Sequence, residues 1–587
     1  MKLALPEELV RIAERHPGPG LVEIQDMMRP SEACATPAAL SAQKATRLSF
    51  SQLLARRMID EGWTLTRQEV DINAEGCGRL IYEIDFGKYQ STYIAQTFPA
   101  APGVPNENLG RRAGANRDVW GTLFLGKASA ARIAEEFANI GPRDITTMRA
   151  RADVLGWTPG SRSARIFDDV VAALADGRQP AQEVIRRSGY LIRNGGFVAS
   201  GRMGTISYPG IPADHPLKHP YFADFFGLLL LREVGVDLVN AMAAARSERA
   251  VSLSDGLATF FGVGNASGQG MCVALQRWPQ WFSTWLLVRE FCLARAKLMI
   301  APVGSAERRR LIDLLERAAE YYDFVTPDSE AFVVPHKLIA ENLRLVIRSV
   351  RKEDGSEPWA VTAAGIAATF DAETAEIFNA LLIEIYPDFA DDVASYIPVG
   401  MAIQQDYAPE RSVGAFRRDF LSDYRWELSQ DLGHSDARRH FWYHSIENGE
   451  QRRGERVIDP HEHFESFIDH LGALQRLAAI LAGYPDETPM AIVVADHPEL
   501  AFAAARVETM AHRPYKEIQG NLLHKDFSPA HLIRFFLSVF GLESTYPMNI
   551  RWVPGVVFQG FPAWRRLEGP ARNDWKYKNV SSLGVAA

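Results

Sequence analysis

The chain has 587 residues, of which 47% are hydrophobic and 23% charged, with a formal net charge of −8. That length is too great for one core and predicts roughly three or four domains. The apolar content is ample for those cores without disulfide or metal staples. The acidic balance argues against a dominant nucleic-acid role. The only basic clusters, Arg308-Arg309-Arg310 and Arg452-Arg453 with Arg456, are short and read as solvated faces.

Cys34, Cys77, Cys272 and Cys292 show no CxxC or Cys/His spacing, which fits a reducing compartment and gives no zinc signature. The N-terminus reads as a short amphipathic helix ended by His16-Pro17-Gly18-Pro19-Gly20, not as a signal peptide. The most apolar run, Phe225–Leu231, is far short of the ~20 residues that cross a bilayer. The expectation is a soluble cytoplasmic protein without membrane or nucleic-acid partners. Base rates alone suggest a homodimer.

The first strand signals are Gly78–Phe86, which alternates, and Gln90–Phe98, which is β-branched and aromatic, with Gly87-Lys88 between them. This reads as a hairpin, and Asp118–Leu125 reads as a third strand. Helices are expected over Ser129–Ile140 and Ile166–Asp176. From His219 onward the text is mostly helical, with Tyr221–Ala245, Pro279–Leu293, Ala306–Tyr321, His336–Ser349 and Ala372–Ile385 as the main segments. Asn448-Gly449 between strand-like runs marks a second hairpin. Asp459-Pro460-His461-Glu462 has the chemistry of a helix start, and Met490–Ala495 reads as a short buried strand. The predicted fold class is α+β, predominantly helical. It comprises an N-terminal antiparallel-sheet region (residues 1–214), a central helical domain (215–425) and a C-terminal mixed region with a β-hairpin (426–587).

The most informative stretch is Gly262-Val-Gly-Asn-Ala-Ser-Gly-Gln-Gly270, with four glycines in nine residues. Backbone without Cβ atoms approaches ligands closely, and a loop entering a helix N-terminus presents free N–H donors to an anion. Asn265, Ser267 and Gln269 would orient polar groups there. The stretch fits neither a dinucleotide fingerprint nor a P-loop, and its plain alternative is a helix–helix connection packed through glycine. A second candidate is Arg193-Asn194-Gly-Gly-Phe197 followed by Ser200-Gly-Arg202-Met-Gly204. If the glycines make a turn, Arg193 and Arg202 come from neighbouring strands and could grip a carboxylate or phosphate.

Arg289 and Glu290 interrupt an otherwise apolar helix. They either pair with residues elsewhere in the fold or face a pocket fed by the glycine loop. Among the histidines, His461/His463 and His440/His444 lack metal-ligand geometry. His215 and His219 bracket a proline-rich turn and are the best general-base candidates. Cys272 reads as an inert thiol. No metal site and no cofactor are implied. These readings favour an enzyme acting on a small anionic metabolite, with Arg193, Asn194, Arg202, Asn265, Ser267, Gln269, Arg289 and Glu290 around the substrate. The alternatives are a non-haem metal oxygenase with ligands distant in sequence, and a non-catalytic scaffold.

Overall fold

The runs expected to pair as a hairpin do so, and a larger sheet grows from them. In the computed structural model the described residues are 5–99, 117–141, 151–194, 198–199, 202–203, 211–219, 221–265, 280–324, 334–397, 408–431, 444–447, 450–453, 467–511, 515, 529–542, 555–564, 567, 572–573 and 575–578. Helix predominates in a mixed α and β chain.

The strands are β1 (Thr64–Ile72), β2 (Gly78–Asp85), β3 (Gln90–Thr97), β4 (Val119–Phe124), β5 (Val154–Arg162), β6 (Tyr190–Asn194), β7 (Val198–Ala199), β8 (Arg202–Met203), β9 (Gly262–Asn265), β10 (His444–Glu447), β11 (Glu450–Arg453) and β12 (Val556–Val557). The main sheet runs β1-β2-β3-β4-β5-β6-β9-β12, with β7 and β8 as a short ribbon against β5. β10 and β11 form the separate hairpin expected around Asn448-Gly449.

Strand alternation splits the sheet's side chains between two cores. Val119 and Leu123 of β4 enter the main core, while Trp120 and Phe124 enter a smaller one with Ile94, Phe137 and Trp157. The helix Ala130–Asn139 covers that smaller core. Its Glu136, fully buried, accepts from Thr122 Oγ1 at 2.9 Å and Trp157 Nε1 at 3.3 Å and pairs with Arg132 and Arg151. On the opposite face lies the long helix Phe222–Arg246, which packs on β1, β5, β6 and β9.

The helices expected over Ser129–Ile140, Ile166–Asp176, Tyr221–Ala245, Pro279–Leu293, Ala306–Tyr321, His336–Ser349 and Ala372–Ile385 appear as Ala130–Asn139, Phe167–Ala175, Phe222–Arg246, Gln280–Leu298, Ala306–Phe324, His336–Lys352 and Ala372–Glu384. Three readings of the sequence are corrected. Met490–Asp496 is a helix, not a strand; its apolar run is too short for periodicity to tell the two apart. Ser254–Phe261 reads as helical, but only Asp255–Ala258 is. The sheet is not wholly antiparallel, because β6 and β9 run parallel, with the helix Phe222–Arg246 in the connection between them. The sheet also runs past residue 214, since β9 and β12 belong to it. The start expected for the helix that ends at Leu481 lies outside the described residues.

Candidate functional site

The two segments singled out by their arginines and glycines meet in this sheet. β6 and β9 are adjacent and parallel, with Arg193 opposite Gly264 and Asn194 opposite Asn265. Asn194 and Asn265 are the last described residues of the two strands. Beyond them, β7 continues along β5 in the direction of β6, with Val198 opposite Trp157, whereas Asn194 is opposite Gly160. Three residues of β5 therefore separate Asn194 from Val198, about 10 Å at strand rise. β8 flanks β7 on the side away from β5, with Met203 opposite Val198 and Arg202 opposite Ala199. β9 flanks β6 on that same side. β9 and β8 thus share one strand lane, with Asn265 and Met203 about 10 Å apart along it and Arg202 one residue further. The carboxyl ends of parallel strands joined by a helix are where open α/β sheets receive ligands.

The glycines that open the stretch have a packing reason as well. A Cβ at Gly262 would overlap the carbonyl oxygen of Val557, and one at Gly264 would sit 2.7–2.8 Å from the Tyr190 ring. Neither backbone nor a packed ring yields cheaply, so both positions require glycine for strand contact. Gly262–Asn265 is a strand, not part of a helix–helix connection as its composition suggests. Ser267, Gln269 and Cys272 lie outside the described residues, as do His440, His461 and His463, and nothing is described of the side chains of Asn194, Arg202 and Asn265. Arg193 is half-buried.

His215 is 2% exposed and lies between Phe86 and Tyr89, with ring centroids at 5.4 and 4.7 Å. Its Nδ1 accepts from the backbone N–H of Leu217 at 3.1 Å, and its Nε2 is buried without a partner. Burial, with the nearby Arg57 guanidinium, pushes its pKa down to about 4. The ring is therefore neutral at pH 7 with its proton on Nε2, and its one lone pair is already occupied. His219 stacks on Phe222 at 3.8 Å and meets Phe50 edge-on at 5.6 Å.

Arg289 and Glu290, fully buried, belong to a closed ring of charges. Glu290 accepts from Arg289 at 2.8 Å and from Arg29 at 2.7 and 2.8 Å. Glu376 accepts from Arg289 at 2.5 Å and pairs with Arg29. Burial alone would raise the Glu376 carboxyl, but Arg29 and Arg289 outweigh it and hold the pKa down to about 2. Two guanidiniums face two carboxylates, and the Lys297 amino group lies close enough to interact with all four. The sequence signals the two charges on the helix but not their partners, which come from residues 29 and 376.

A second feature escaped the sequence reading. Along β9 and β12 lies a narrow recess with free space of about 30 Å³, lined by Phe260, Tyr321, Val556, Trp575 and Tyr577 among others. Its lining comes from six stretches far apart in sequence, so no local motif announces it.

Among the described residues, no group of three or more His, Cys, Asp or Glu side chains is arranged to hold a metal ion, and no helix is long and apolar enough to cross a membrane. Exposed large apolar side chains such as Val22, Val70 and Val303 come from separate elements. The chain matches no protein-family model, no curated protein and no solved structure.

Proposed function

We propose that this chain is an enzyme acting on a small carboxylate- or phosphate-bearing metabolite held at the carboxyl ends of β6 and β9. One observation carries the proposal: the register that sets Arg193 and Asn194 beside Gly264 and Asn265, with Arg202 in the same lane about 13 Å beyond. Arginine's planar fork suits such anions, and the carboxyl ends of parallel strands are where α/β sheets receive ligands. Ser267 and Gln269, two and four residues after Asn265 in sequence, complete the polar set proposed for the substrate.

Arg289 and Glu290, already saturated by Arg29 and Glu376, support the site only as part of the scaffold. The occupied lone pair of His215 leaves the general-base role to His219 within this proposal.

The test is a thermal-shift titration of the full chain with inorganic phosphate, citrate and pyruvate, repeated on the Arg193→Ala/Arg202→Ala double variant. Saturable stabilisation of the wild type by one of these anions, lost in the variant, is the expected result. Absence of stabilisation by all three, or equal stabilisation of both proteins, overturns the reading.

A further inference from the structure

The ring of Arg29, Arg289, Glu290 and Glu376 has a further neighbour at its rim. Lys297 lies in the last turn of the helix Gln280–Leu298, seven residues after Glu290. Seven residues make about two helical turns, so the two positions share one face, about 10 Å apart along the axis. Helical side chains lean toward the helix N-terminus, which tips Lys297 back toward the ring. The helix Leu21–Met27, which leads to Arg29, packs along the same helix. Lys297 is half-buried, and Ile300, three residues on, is 51% exposed, so this end of the helix reaches the surface.

Among the described residues the Lys297 side chain makes no hydrogen bond and no ion pair. The nearby carboxylates are already engaged: Glu290 and Glu376 each accept from both Arg29 and Arg289. Those four charges cancel, so an ammonium on Lys297 would be a third cation facing two carboxylates at a site largely removed from water. Burial first, then Arg29 and Arg289, push its pKa below the ordinary lysine value, and Glu290 and Glu376 oppose them only in part. A partly desolvated amine crowded by other cations gives up its proton and becomes a nucleophile. The Cys34 thiol beside the same ring is fully buried, and burial pushes its pKa up, so it stays protonated and inert.

We propose that Lys297 is a nucleophilic amine that condenses with small α-oxo acids to form an imine. The nitrogen attacks the carbonyl carbon, both of its hydrogens pass to the carbonyl oxygen, and that oxygen leaves as water. The imine nitrogen takes up a proton from solvent, and the acid's own carboxylate supplies the negative charge that a third cation lacks here. A neutral aldehyde brings no such charge. The cluster takes no residue from β6 or β9, so this chemistry is separate from the strand-end site.

The experiment treats the full chain at pH 7 with glyoxylate and sodium cyanoborohydride, which delivers hydride to the imine carbon and fixes the adduct as a secondary amine. Peptide mass spectrometry then follows each lysine. Lys297 should be labelled at least about fivefold faster than Lys337 and Lys352, which are exposed on the helix His336–Lys352. Its rate should level off at a lower pH than theirs, and acetaldehyde in place of glyoxylate should shrink the preference. A second readout is independent of labelling. Lys297→Met should resist urea as well as the wild type does, whereas Lys297→Arg, which fixes the third positive charge, should unfold at lower urea. Labelling of Lys297 no faster than that of Lys337 and Lys352, an equal preference with acetaldehyde, or equal urea midpoints for Lys297→Arg and Lys297→Met would each overturn the proposal.

Discussion

Replacing Glu376 by Gln tests whether the ring of Arg29, Arg289, Glu290 and Glu376 is as dry as its geometry implies. Glu376 is 4% exposed, Glu290 1% and Arg289 0%. The substitution keeps shape and volume and removes one charge, so loss of packing does not enter. It leaves two guanidiniums facing one carboxylate. Arg289 loses its 2.5 Å charge-assisted partner, and Arg29 loses one of two. Breaking a buried pair on one side costs about 3–5 kcal/mol, because the remaining charge stays desolvated. That is a large share of the about 5–15 kcal/mol by which folded proteins are stable.

Urea denaturation at pH 7 gives the number. Glu7→Gln serves as control: it removes the fully solvated Glu7–Arg11 pair, with side chains 79% and 70% exposed, and should cost under about 0.5 kcal/mol. Adding Arg289→Met to Glu376→Gln restores charge balance between Arg29 and Glu290, so the double variant should be at least about 1 kcal/mol more stable than the sum of the singles predicts. A Glu376→Gln loss below about 1 kcal/mol, or simple additivity with Arg289→Met, would refute a dry, closed ring.

Two further perturbations follow. Gly262→Ala places a methyl group on the Val557 carbonyl oxygen and the Val556 side chain, parting β9 from β12. It should cost about 2–3 kcal/mol in chemical denaturation, whereas Gly365→Ala, a helical glycine with open space around its Cβ position, should gain about 0.5–1 kcal/mol. Equal effects at the two positions would contradict the β9–β12 contact. His215 has a pKa of about 4 in the fold, below its ordinary value near 6.5. Its neutral form therefore contributes stability that is complete above about pH 6.5 and is lost as pH falls through 4, because the unfolded chain takes up the proton first. His215→Phe keeps a ring between Phe86 and Tyr89 and removes the proton uptake. Its stability should fall less than the wild type's between pH 7 and 4.5, by on the order of 1–2 kcal/mol; a difference that does not change with pH would show that the imidazole is solvated.

What was legible in the chain was local. The hairpin β2–β3 showed in its alternation and in Gly87-Lys88, and the helices in their apolar stripes and starts. The strand β5 did not show, because Val154–Arg162 carries Gly156, Pro159 and Gly160, which read as breakers. Yet it is buried over most of its length, and β4 and β6 on either side hold it extended. β1 did not show either: eight of its nine residues are at least partly exposed, as suits a sheet edge, so no apolar alternation marks it.

The candidate site divides in the same way. Arginine and glycine content singled out residues 193–204 and 262–270, and helix polarity singled out Arg289 and Glu290. That Arg193 faces Gly264 across a parallel pair was decided by the fold alone. Such pairing joins residues about 70 positions apart, through a crossover helix whose own sequence says only that it is apolar. Propensity, capping and side-chain period act within a few residues and are therefore written in the sequence. Which strand lies beside which, and which charges close a ring, depends on how whole helices and strands exclude water together, and only the folded chain decides that.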